Sequence, residues 1–597
     1  MKHMNIMKKI DNITPFSFFG FSLTLIGWLA FFLAILGLFH RWLIIILALV
    51  LLLSFSYGIL KWQKKSRFSW DFSLVLAFSF LIILVFSYFT VPTIFTGRDQ
   101  GSLSSAAISL VQNHSLLSNF PAEKQFFHIY GAGEALNFPG FYYTRNGDLT
   151  TQFPLGYISW LAFFYALFGL HGLVIANAFS FFLFLLSFYA VAKNYLESKP
   201  ALIALFLVAT SFVFSWFFKF TLSENLALAI LWFGIAQFMF FWKKENRLSL
   251  FGFLFSFGLL LFVRIEAVAF LAVALAALFL KYKKEKVKLK KFFFRREIIA
   301  IAVLILCAFL ASLHASSAFY TSIAKGFLNS FSSSSGDAGE VSPYPLAGLF
   351  YLLRVFSAYA LLTYIILAIV ALGYFLKKRN FEKLLPFFIT LPAFIYLLNP
   401  SISLDHPWML RRYEFAVVPI SILYSIIFLS DFLKKKRFFY LFSFFLLLTN
   451  LMIFSPFLKL QENPTLLPQI EKLSLNFEDN DLVLIDRGAT GNPWAMMTGP
   501  MNLLFKKQAI YFFNPDDLKK IDLSQFKKVY LVIPDDNLPA YKETGLLNNM
   551  ITVKSYSLEN FSLNEMDISR ADRYSSPVIL PPYLKNYIYG KIYLLKQ

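Results

Sequence analysis

Long apolar runs limit what this chain can fold into more than any other feature of the sequence. A helix needs about 20 apolar residues to cross the hydrocarbon core of a bilayer, and the chain has about thirteen runs of roughly that length. Only 15% of the residues are charged, against about 25% in soluble globular domains. The sequence therefore predicts an all-α polytopic membrane protein. The predicted transmembrane helices lie at 18–39, 42–60, 72–92, 172–192, 200–218, 224–242, 248–263, 266–280, 297–315, 357–376, 383–399, 413–431 and 438–456.

Two of the apolar segments need separate interpretation, the first run of the chain and a shorter stretch at 154–170. The first run has no small-residue cleavage site and leads directly into the second, so we expect it to remain as a membrane helix. The stretch 154–170 begins within the string FPLGY and is too short to span comfortably. We expect it to form a helix that lies in the outer membrane interface.

Lysine and arginine residues are concentrated on one side of the predicted topology. If the N-terminus is cytoplasmic, the inward segments hold about 29 basic and about 8 acidic residues. The excess of basic over acidic residues in these inward segments equals the formal net charge of the whole chain, +21. Because positively charged loops remain in the cytoplasm, we expect a multi-pass protein of the plasma membrane with a cytoplasmic N-terminus. An odd number of spans then places the C-terminal tail outside the cytoplasm.

The charge distribution also excludes a class of function. The basic residues lie in short loops between spans, and there is no folded basic domain that would bind nucleic acid. The single cysteine, Cys307, lies in an apolar run, so there is no disulfide framework either.

The composition changes abruptly after residue 456. The tail, 457–597, contains three short β-rich runs, DLVLID, AIYFF and KKVYLVI, separated by helix-compatible stretches, and this pattern predicts a small α/β domain. A DRGATGN turn follows the first run but lacks the glycine spacing of a dinucleotide-binding loop, which favours a plain strand-to-helix turn. The predicted organisation is an N-terminal helix pair at 1–71, a membrane core at 72–456 with a large outward loop at 93–171, and the extracytoplasmic tail domain.

Two acidic residues lie where predicted outward loops meet helices. Asp99 stands in TGRDQG, just before a helical run, and Glu224 begins the span that follows FTLS. Helix capping is the simplest explanation for each of them. Ionisable groups beside the bilayer are also candidates for a functional site, however, because placing them there is costly.

Arginines on the same face suggest an anion site. Arg411 and Arg412 lie at the outer end of a span, although the other basic residues are concentrated on the cytoplasmic side. Guanidinium groups bind phosphate oxygens in a bidentate manner. Arg264 and Glu266 stand at a helix-to-helix corner in VRIEA, where an internal ion pair is the alternative explanation. The further site candidates on the outward face are Arg98, Gln100, Tyr142, Tyr143, Asp405 and His406.

The order and sidedness of these motifs resemble the GT-C superfamily of membrane glycosyltransferases, which take a sugar from a polyprenyl-phosphate carrier. The matching features are GRDQG, FPLGY followed by LFGLHGLVIANAFSFFLFLLSFY, Glu224, and DHPWMLRRYEF. Members include protein O-mannosyltransferases, lipid A aminoarabinose transferases and cell-wall arabinofuranosyltransferases. The resemblance covers 72–456, so two spans precede the part of the chain that it matches.

The resemblance implies a glycosyltransferase that moves a hexosyl or pentosyl group to an extracytoplasmic acceptor, which is a cell-envelope glycan, a lipid or a protein. Asp99 is then the catalytic base and Glu224 a second catalytic carboxylate. Arg411, Arg412 and Arg264 would hold the carrier phosphate. The implied partners are the lipid-linked donor, membrane lipid and the acceptor, with no nucleic acid.

The requirement for a metal stays open at this stage. Some relatives carry two adjacent acidic residues in the first outward loop, whereas here Asp99 lies between Arg98 and Gln100. The sequence has no histidine and cysteine spacing typical of zinc. Asp99, Glu224 and His406 are the residues that would surround a divalent cation if one is used.

A transporter or flippase for a lipid-linked sugar or another amphiphile is the alternative to an enzyme. Alternating access requires polar residues near the bilayer midplane and at both gates, whereas the predicted polar residues lie on one face. A non-catalytic assembly scaffold, with the tail as its docking module, is a third interpretation.

Overall fold

A computed structural model describes residues 13–63, 70–94, 97–283, 294–332, 345–398, 406–492, 494–563 and 577–596. These residues form a helical bundle followed by a small sheet domain, which confirms the predicted fold class. Eight described helices are long and apolar enough to cross a membrane, as expected of a multi-pass membrane protein. They are Ile13–Ile35, Arg41–Gln63, Trp70–Tyr88, His171–Ala192, Ser223–Lys244, Arg296–Ala315, Phe381–Leu398 and Lys436–Lys459.

The sequence count of about thirteen spans is too high by this criterion. Two predicted spans are bent pairs, Gly348–Ala358 with Leu362–Lys377 at 111° and Trp408–Glu414 with Val417–Phe432 at 60°, which raises the number of candidate spans to ten at most among the described residues. The difference arises because a sequence window counts apolar residues across a break, whereas a helix ends there. The three other predicted spans contain only shorter helices, Ser198–Ala209 followed by Phe212–Phe217, Arg247–Leu260, and Ala267–Tyr282.

The helix that begins within FPLGY corrects a second prediction. Leu155–Phe168 does not lie on a surface, because most of its side chains are buried, including Tyr157 and Trp160. The helix carries no charged residue, and a helix that is apolar on all sides is buried by its neighbours. The expectation of an interfacial helix is therefore wrong.

The loop at 93–171, which the sequence predicts to lie outside and which we call the outward loop, contains helices and a small sheet. Two helices, Asp99–Asn113 and Pro121–Tyr130, precede three short antiparallel strands in the order β1-β2-β3. The strands are β1 (Gly133–Glu134), β2 (Phe141–Tyr143) and β3 (Leu149–Thr151). The other described helices of the membrane core are Ser317–Ser332, Pro345–Ala358 and Arg411–Glu414.

The C-terminal domain is a five-stranded mixed sheet in the order β5-β4-β6-β8-β7. The three β-rich runs predicted from sequence form its parallel part, and a long antiparallel hairpin, which the sequence did not reveal, completes it. The chain runs from β4 outwards to β5 and then crosses back past β4 to reach β6 on its other side. The strands are β4 (Leu482–Asp486), β5 (Gln508–Phe512), β6 (Val529–Pro534), β7 (Met550–Leu563) and β8 (Tyr583–Leu595), with helices Leu466–Ser474, Thr498–Leu503 and Leu538–Glu543.

Hydrogen bonds join the C-terminal domain to the outward loop. Gln112, near the end of the Asp99–Asn113 helix, donates from Nε2 to the carbonyl of Leu503 at 2.6 Å. The hydroxyl of Tyr130 donates to Asp517 Oδ2 at 2.8 Å. The sheet domain is therefore held against the helix that begins at Asp99.

Candidate functional site

Asp99 begins its helix and forms an ion pair with Arg411. Arg411 is buried, whereas 39% of the Asp99 side chain is exposed. The contact joins residues 312 positions apart in the chain. No described side chain caps the start of the Asp99 helix, so helix capping does not explain Asp99. An accessible carboxylate and a buried guanidinium group thus lie side by side.

The backbone around Asp99 is fixed on two sides. Gly97 has a φ of +121°, and a Cβ atom built there would lie 3.0 Å from the carbonyl oxygen of Trp494, so only glycine fits comfortably. The Thr221 hydroxyl donates to the carbonyl of Gln100 at 2.7 Å. The start of the Asp99 helix is therefore held by the C-terminal domain and by the turn that precedes Glu224.

Aromatic rings surround the cations of this site. The guanidinium carbons of Arg98 and Arg411 each lie 4.6 Å from the centre of the Trp408 ring. Arg98 also lies 5.2 Å from the centre of the Trp494 ring in the C-terminal domain. These distances are within the range of cation–π attraction. Neither tryptophan was among the site residues predicted from the sequence.

Glu224, Arg264 and Glu266 form a second cluster, which is buried. Arg264 Nη1 lies 2.9 Å from Glu224 Oε1, and Nη2 and Nε donate to the two oxygens of Glu266 at 2.7 and 3.1 Å. All three guanidinium nitrogens are therefore engaged with carboxylates. The internal ion pair between Arg264 and Glu266, which was the alternative explanation for VRIEA, is present here. Glu224 forms a further ion pair with Arg264.

The FPLGY segment supports the corner that carries Arg264. Gly156 N donates to the carbonyl of Phe262 at 2.8 Å, and a Cβ atom built at Gly156 would lie only 2.6 Å from that oxygen. The close approach of these two backbones requires glycine. The segment therefore has a role in placing the ion-pair cluster.

Arg411 connects the Asp99 ion pair with the buried cluster, and Arg412 and Glu414 lie beside that cluster. Arg411 and Arg412 lie close enough to Glu224 to interact with it electrostatically. Glu414 is completely buried near Glu224 and Arg264, and neither of its carboxyl oxygens has a hydrogen-bond partner among the described residues. The charged string that contains Glu414 was visible in the sequence, but nothing marked this carboxyl as buried.

Two of the other candidates are held by contacts that do not involve Asp99, and a third is buried. The hydroxyl of Tyr143 donates to Asn137 Oδ1 at 3.0 Å inside the outward loop. Tyr142 donates to the Ser322 hydroxyl, also at 3.0 Å. The buried Gln100 lies beside Asp99 in the chain.

The segment before Trp408 is only partly described. His406 Nδ1 lies 3.0 Å from the Tyr359 hydroxyl, and the two rings are in edge contact. Asp405 lies outside the described residues.

The candidate metal ligands do not come together. No three histidine, cysteine, aspartate or glutamate residues form a group suited to a metal within the described part of the chain. Asp99 is paired with Arg411, Glu224 with Arg264, and His406 contacts Tyr359. The arrangement of Asp99, Glu224 and His406 around a cation is therefore not found, and these side chains as placed do not fit one.

Comparison with solved structures identifies the fold. ArnT from Cupriavidus metallidurans in the apo state aligns with a TM-score of 0.51 and 11% identity, over 88% of this chain and 98% of that one. The chain has the GT-C fold. No family model and no curated protein matches the sequence.

Other GT-C structures align over most of the chain. ArnT bound to undecaprenyl phosphate gives a TM-score of 0.48 at 11% identity, over 87% of this chain and 97% of that one. The apo oligosaccharyltransferase of Archaeoglobus fulgidus gives 0.49 at 14% identity, over 78% and 70%. The alignment with apo ArnT confirms the resemblance found in the sequence at the level of the fold.

Proposed function

We propose that this protein is an integral-membrane glycosyltransferase that moves a hexosyl or pentosyl group from a polyprenyl-phosphate carrier to an extracytoplasmic glycan, lipid or protein. The observation that carries the proposal is the contact between Asp99 and Arg411, beside Arg98 and Trp408. It offers an accessible base and phosphate-binding cations in one place. The GT-C fold supports the same function, and ArnT, which shares the fold, has been solved with undecaprenyl phosphate bound.

The proposed reaction is a displacement at the anomeric carbon of the donor. Asp99 accepts the proton of an acceptor hydroxyl while that oxygen forms its bond to the anomeric carbon. The bond from that carbon to the phosphate oxygen breaks, and its electron pair remains on the leaving polyprenyl phosphate. Arg411 stabilises the charge that develops on the phosphate.

The contacts divide the arginines between two roles. Arg411 pairs with Asp99, and Arg98 directly precedes Asp99 in the chain. Arg411, Arg98 and Arg412 are proposed to hold the donor phosphate. Arg264 is different, because all three of its nitrogens contact Glu224 or Glu266. We therefore assign Glu224 and Arg264 a structural role, in which they position neighbouring residues of the site. We do not assign proton transfer to Glu224 or phosphate binding to Arg264.

Loss of the protein from its own cells tests the proposal. Cells that lack a transferase should accumulate its lipid-linked donor, and mass spectrometry of the lipid fraction would identify the sugar. Purified protein should then release free polyprenyl phosphate from that donor in detergent when the acceptor is present.

The same two assays separate the enzyme from a flippase. A flippase would move the donor across a vesicle bilayer and leave the sugar-phosphate bond intact. Movement without cleavage would overturn the enzyme proposal.

A further inference from the structure

Arg98 contacts two tryptophan rings that come from distant parts of the chain. Its guanidinium carbon lies 4.6 Å from the centre of the Trp408 ring in the membrane core and 5.2 Å from the centre of the Trp494 ring in the C-terminal domain. Both distances are within the range of cation–π attraction. We call Trp408, Arg98 and Trp494 the tryptophan clamp. The clamp joins the core, the outward loop and the C-terminal domain beside Asp99.

The two rings offset a repulsion between cations. The guanidinium carbon of Arg411 also lies 4.6 Å from the centre of the Trp408 ring, so Arg98 and Arg411 are close neighbours of like charge and repel each other. The faces of aromatic rings carry partial negative charge. A ring that covers Arg98 from the C-terminal domain therefore helps to keep this cation beside Trp408.

Trp494 is fixed by its own domain. Its backbone N donates to Asn492 Oδ1 at 2.9 Å, and the guanidinium carbon of Arg487 lies 5.4 Å from the centre of its ring. The backbone of Trp494 also packs against Gly97, where a Cβ atom would lie 3.0 Å from the Trp494 carbonyl oxygen. The C-terminal domain therefore reaches Arg98 and the residue before it through a side chain and through the backbone.

The C-terminal domain is also held to the outward loop away from the clamp. Ala122 N donates to Gln508 Oε1 at 3.3 Å, and Asp522 N donates to Gln125 Oε1 at 3.1 Å. These bonds add to the one that Gln112 donates to the domain, so both helices of the outward loop carry contacts. We therefore expect the domain to stay docked when a single ring of the clamp is removed.

We propose that Trp494 is a positioning residue of the donor site, which holds Arg98 against Trp408, so that the C-terminal domain sets the affinity for the carrier phosphate. The inference rests on the proposed transferase function, which gives Arg98 a share of that phosphate. Arg98 and Arg411 together exceed the charge of Asp99 by one positive charge, which suits a phosphate group. Trp494 acts through Arg98 and takes no direct part in the reaction.

Binding of undecaprenyl phosphate to the full-length protein in detergent tests the inference without any transfer step. Trp494→Leu keeps an apolar side chain but has no ring, and it should weaken binding about three- to tenfold, the loss of one cation–π contact. Trp494→Phe keeps a ring and should recover most of the affinity. Tyr589→Leu, which removes a ring that is 59% exposed on the same domain, is the matched control and should bind as the wild type does.

A double-mutant cycle distinguishes positioning from a general loss of structure. Arg98→Gln removes the cation on which Trp494 is proposed to act, so adding Trp494→Leu to it should cause little further loss of affinity. Trp494 exposes 44% of its surface, so we expect each variant to keep the unfolding temperature of the wild type. Wild-type affinity in Trp494→Leu, or the same loss of affinity with and without Arg98, would overturn the inference.

The design separates this inference from the function on which it rests. Donor cleavage is measured in the same preparations. A wild-type protein that binds undecaprenyl phosphate but cleaves no lipid-linked donor would count against the transferase, while the coupling between Trp494 and Arg98 would still decide the inference. Donor cleavage by the wild type, together with undiminished binding in Trp494→Leu, would count against the inference alone.

Discussion

Asp99 and Arg411 form an ion pair although 312 residues separate them in the chain. The pair brings the outward loop against the helix that follows Trp408. In the proposed reaction the two residues have opposite tasks, because one accepts a proton and the other stabilises the leaving phosphate. Their contact before substrate binds also compensates the buried charge of Arg411.

Replacing Asp99 tests the base. Asp99→Asn keeps the shape of the side chain and removes its ability to accept a proton. We expect the rate of transfer to fall about 100-fold or more while the donor still binds. Glu134→Gln, an exposed carboxylate of the same loop, is the control and should keep full activity. Normal turnover by purified Asp99→Asn would reduce Asp99 to a structural residue.

Replacing Arg411 tests the phosphate site. Arg411→Lys keeps the charge but loses the planar fork that binds two oxygens at once. Because the same contact holds the bound phosphate and stabilises its departure, we expect KM for the donor to rise and kcat to fall, each by about tenfold. Arg145→Lys, in an exposed part of the outward loop, should change neither. Unchanged donor kinetics in Arg411→Lys and in Arg412→Lys would assign the phosphate to other residues.

The sequence identified the charged residues of the site because charge is rare in an apolar chain. Asp99, Glu224, Arg264 and Arg411 stood out for that reason. Their pairing was not predictable, since it depends on how helices far apart in the chain pack together. The order and sidedness of the motifs predicted the fold class and the GT-C resemblance, whereas helix breaks and short helices leave eight to ten candidate spans that meet the length criterion among the described residues.

The aromatic residues of the site were missed for the opposite reason. The chain has 76 phenylalanines and 10 tryptophans, so Trp408 and Trp494 did not differ from rings that simply pack in the bilayer. Trp494 also lies in the tail, which sequence analysis treated as a separate domain. Only the packing of that domain on the outward loop brings Trp494 to Arg98.

A buried lysine gives the fold a pH dependence. Lys219 Nζ donates to the carbonyls of Phe457 and Leu458 at 2.8 Å, where the last membrane helix ends. Burial lowers the pKa of this ammonium group to about 7. Between pH 7 and about 10.5, its usual value, the unfolded chain binds more protons at this residue than the folded one, so stability rises with pH through that range.

Thermal unfolding in detergent from pH 7 to pH 9 measures this effect. Lys219→Met should lower the unfolding temperature because the hydrogen bonds of Nζ to the carbonyls of Phe457, Leu458 and Leu460 are lost, and it should also flatten the pH dependence. A mutant with the same pH slope as the wild type would show that another group titrates.

Cysteine labelling tests the proposed topology. In a Cys307→Ser background, Lys542→Cys in the C-terminal domain should react with a membrane-impermeant maleimide on intact cells, and Lys244→Cys should react only after lysis. Both positions are exposed in the structure, so a failure to label reflects the membrane and not burial in the fold. Labelling of Lys244→Cys on intact cells would reverse the orientation inferred from the basic loops.

The buried cluster of Glu224 and Arg264 gives a prediction about stability. Glu224 and Arg264 expose only 3% and 10% of their side chains. Removing one partner leaves a buried charge less well compensated, so Glu224→Gln should lower the free energy of unfolding by about 3 kcal/mol. Glu297→Gln breaks a more exposed pair with Arg247 and should cost less than about 1 kcal/mol.

A double variant separates structure from catalysis at this cluster. If Glu224 acts mainly through Arg264, adding Arg264→Met to Glu224→Gln should restore part of the lost stability, because the uncompensated cation is removed. Glu266 then loses its partner, so we expect recovery to be partial. Activity divided by the amount of folded protein is the second measurement. A folded Glu224→Gln protein with a normal KM for the donor and a kcat reduced about 100-fold would return Glu224 to direct participation in the reaction.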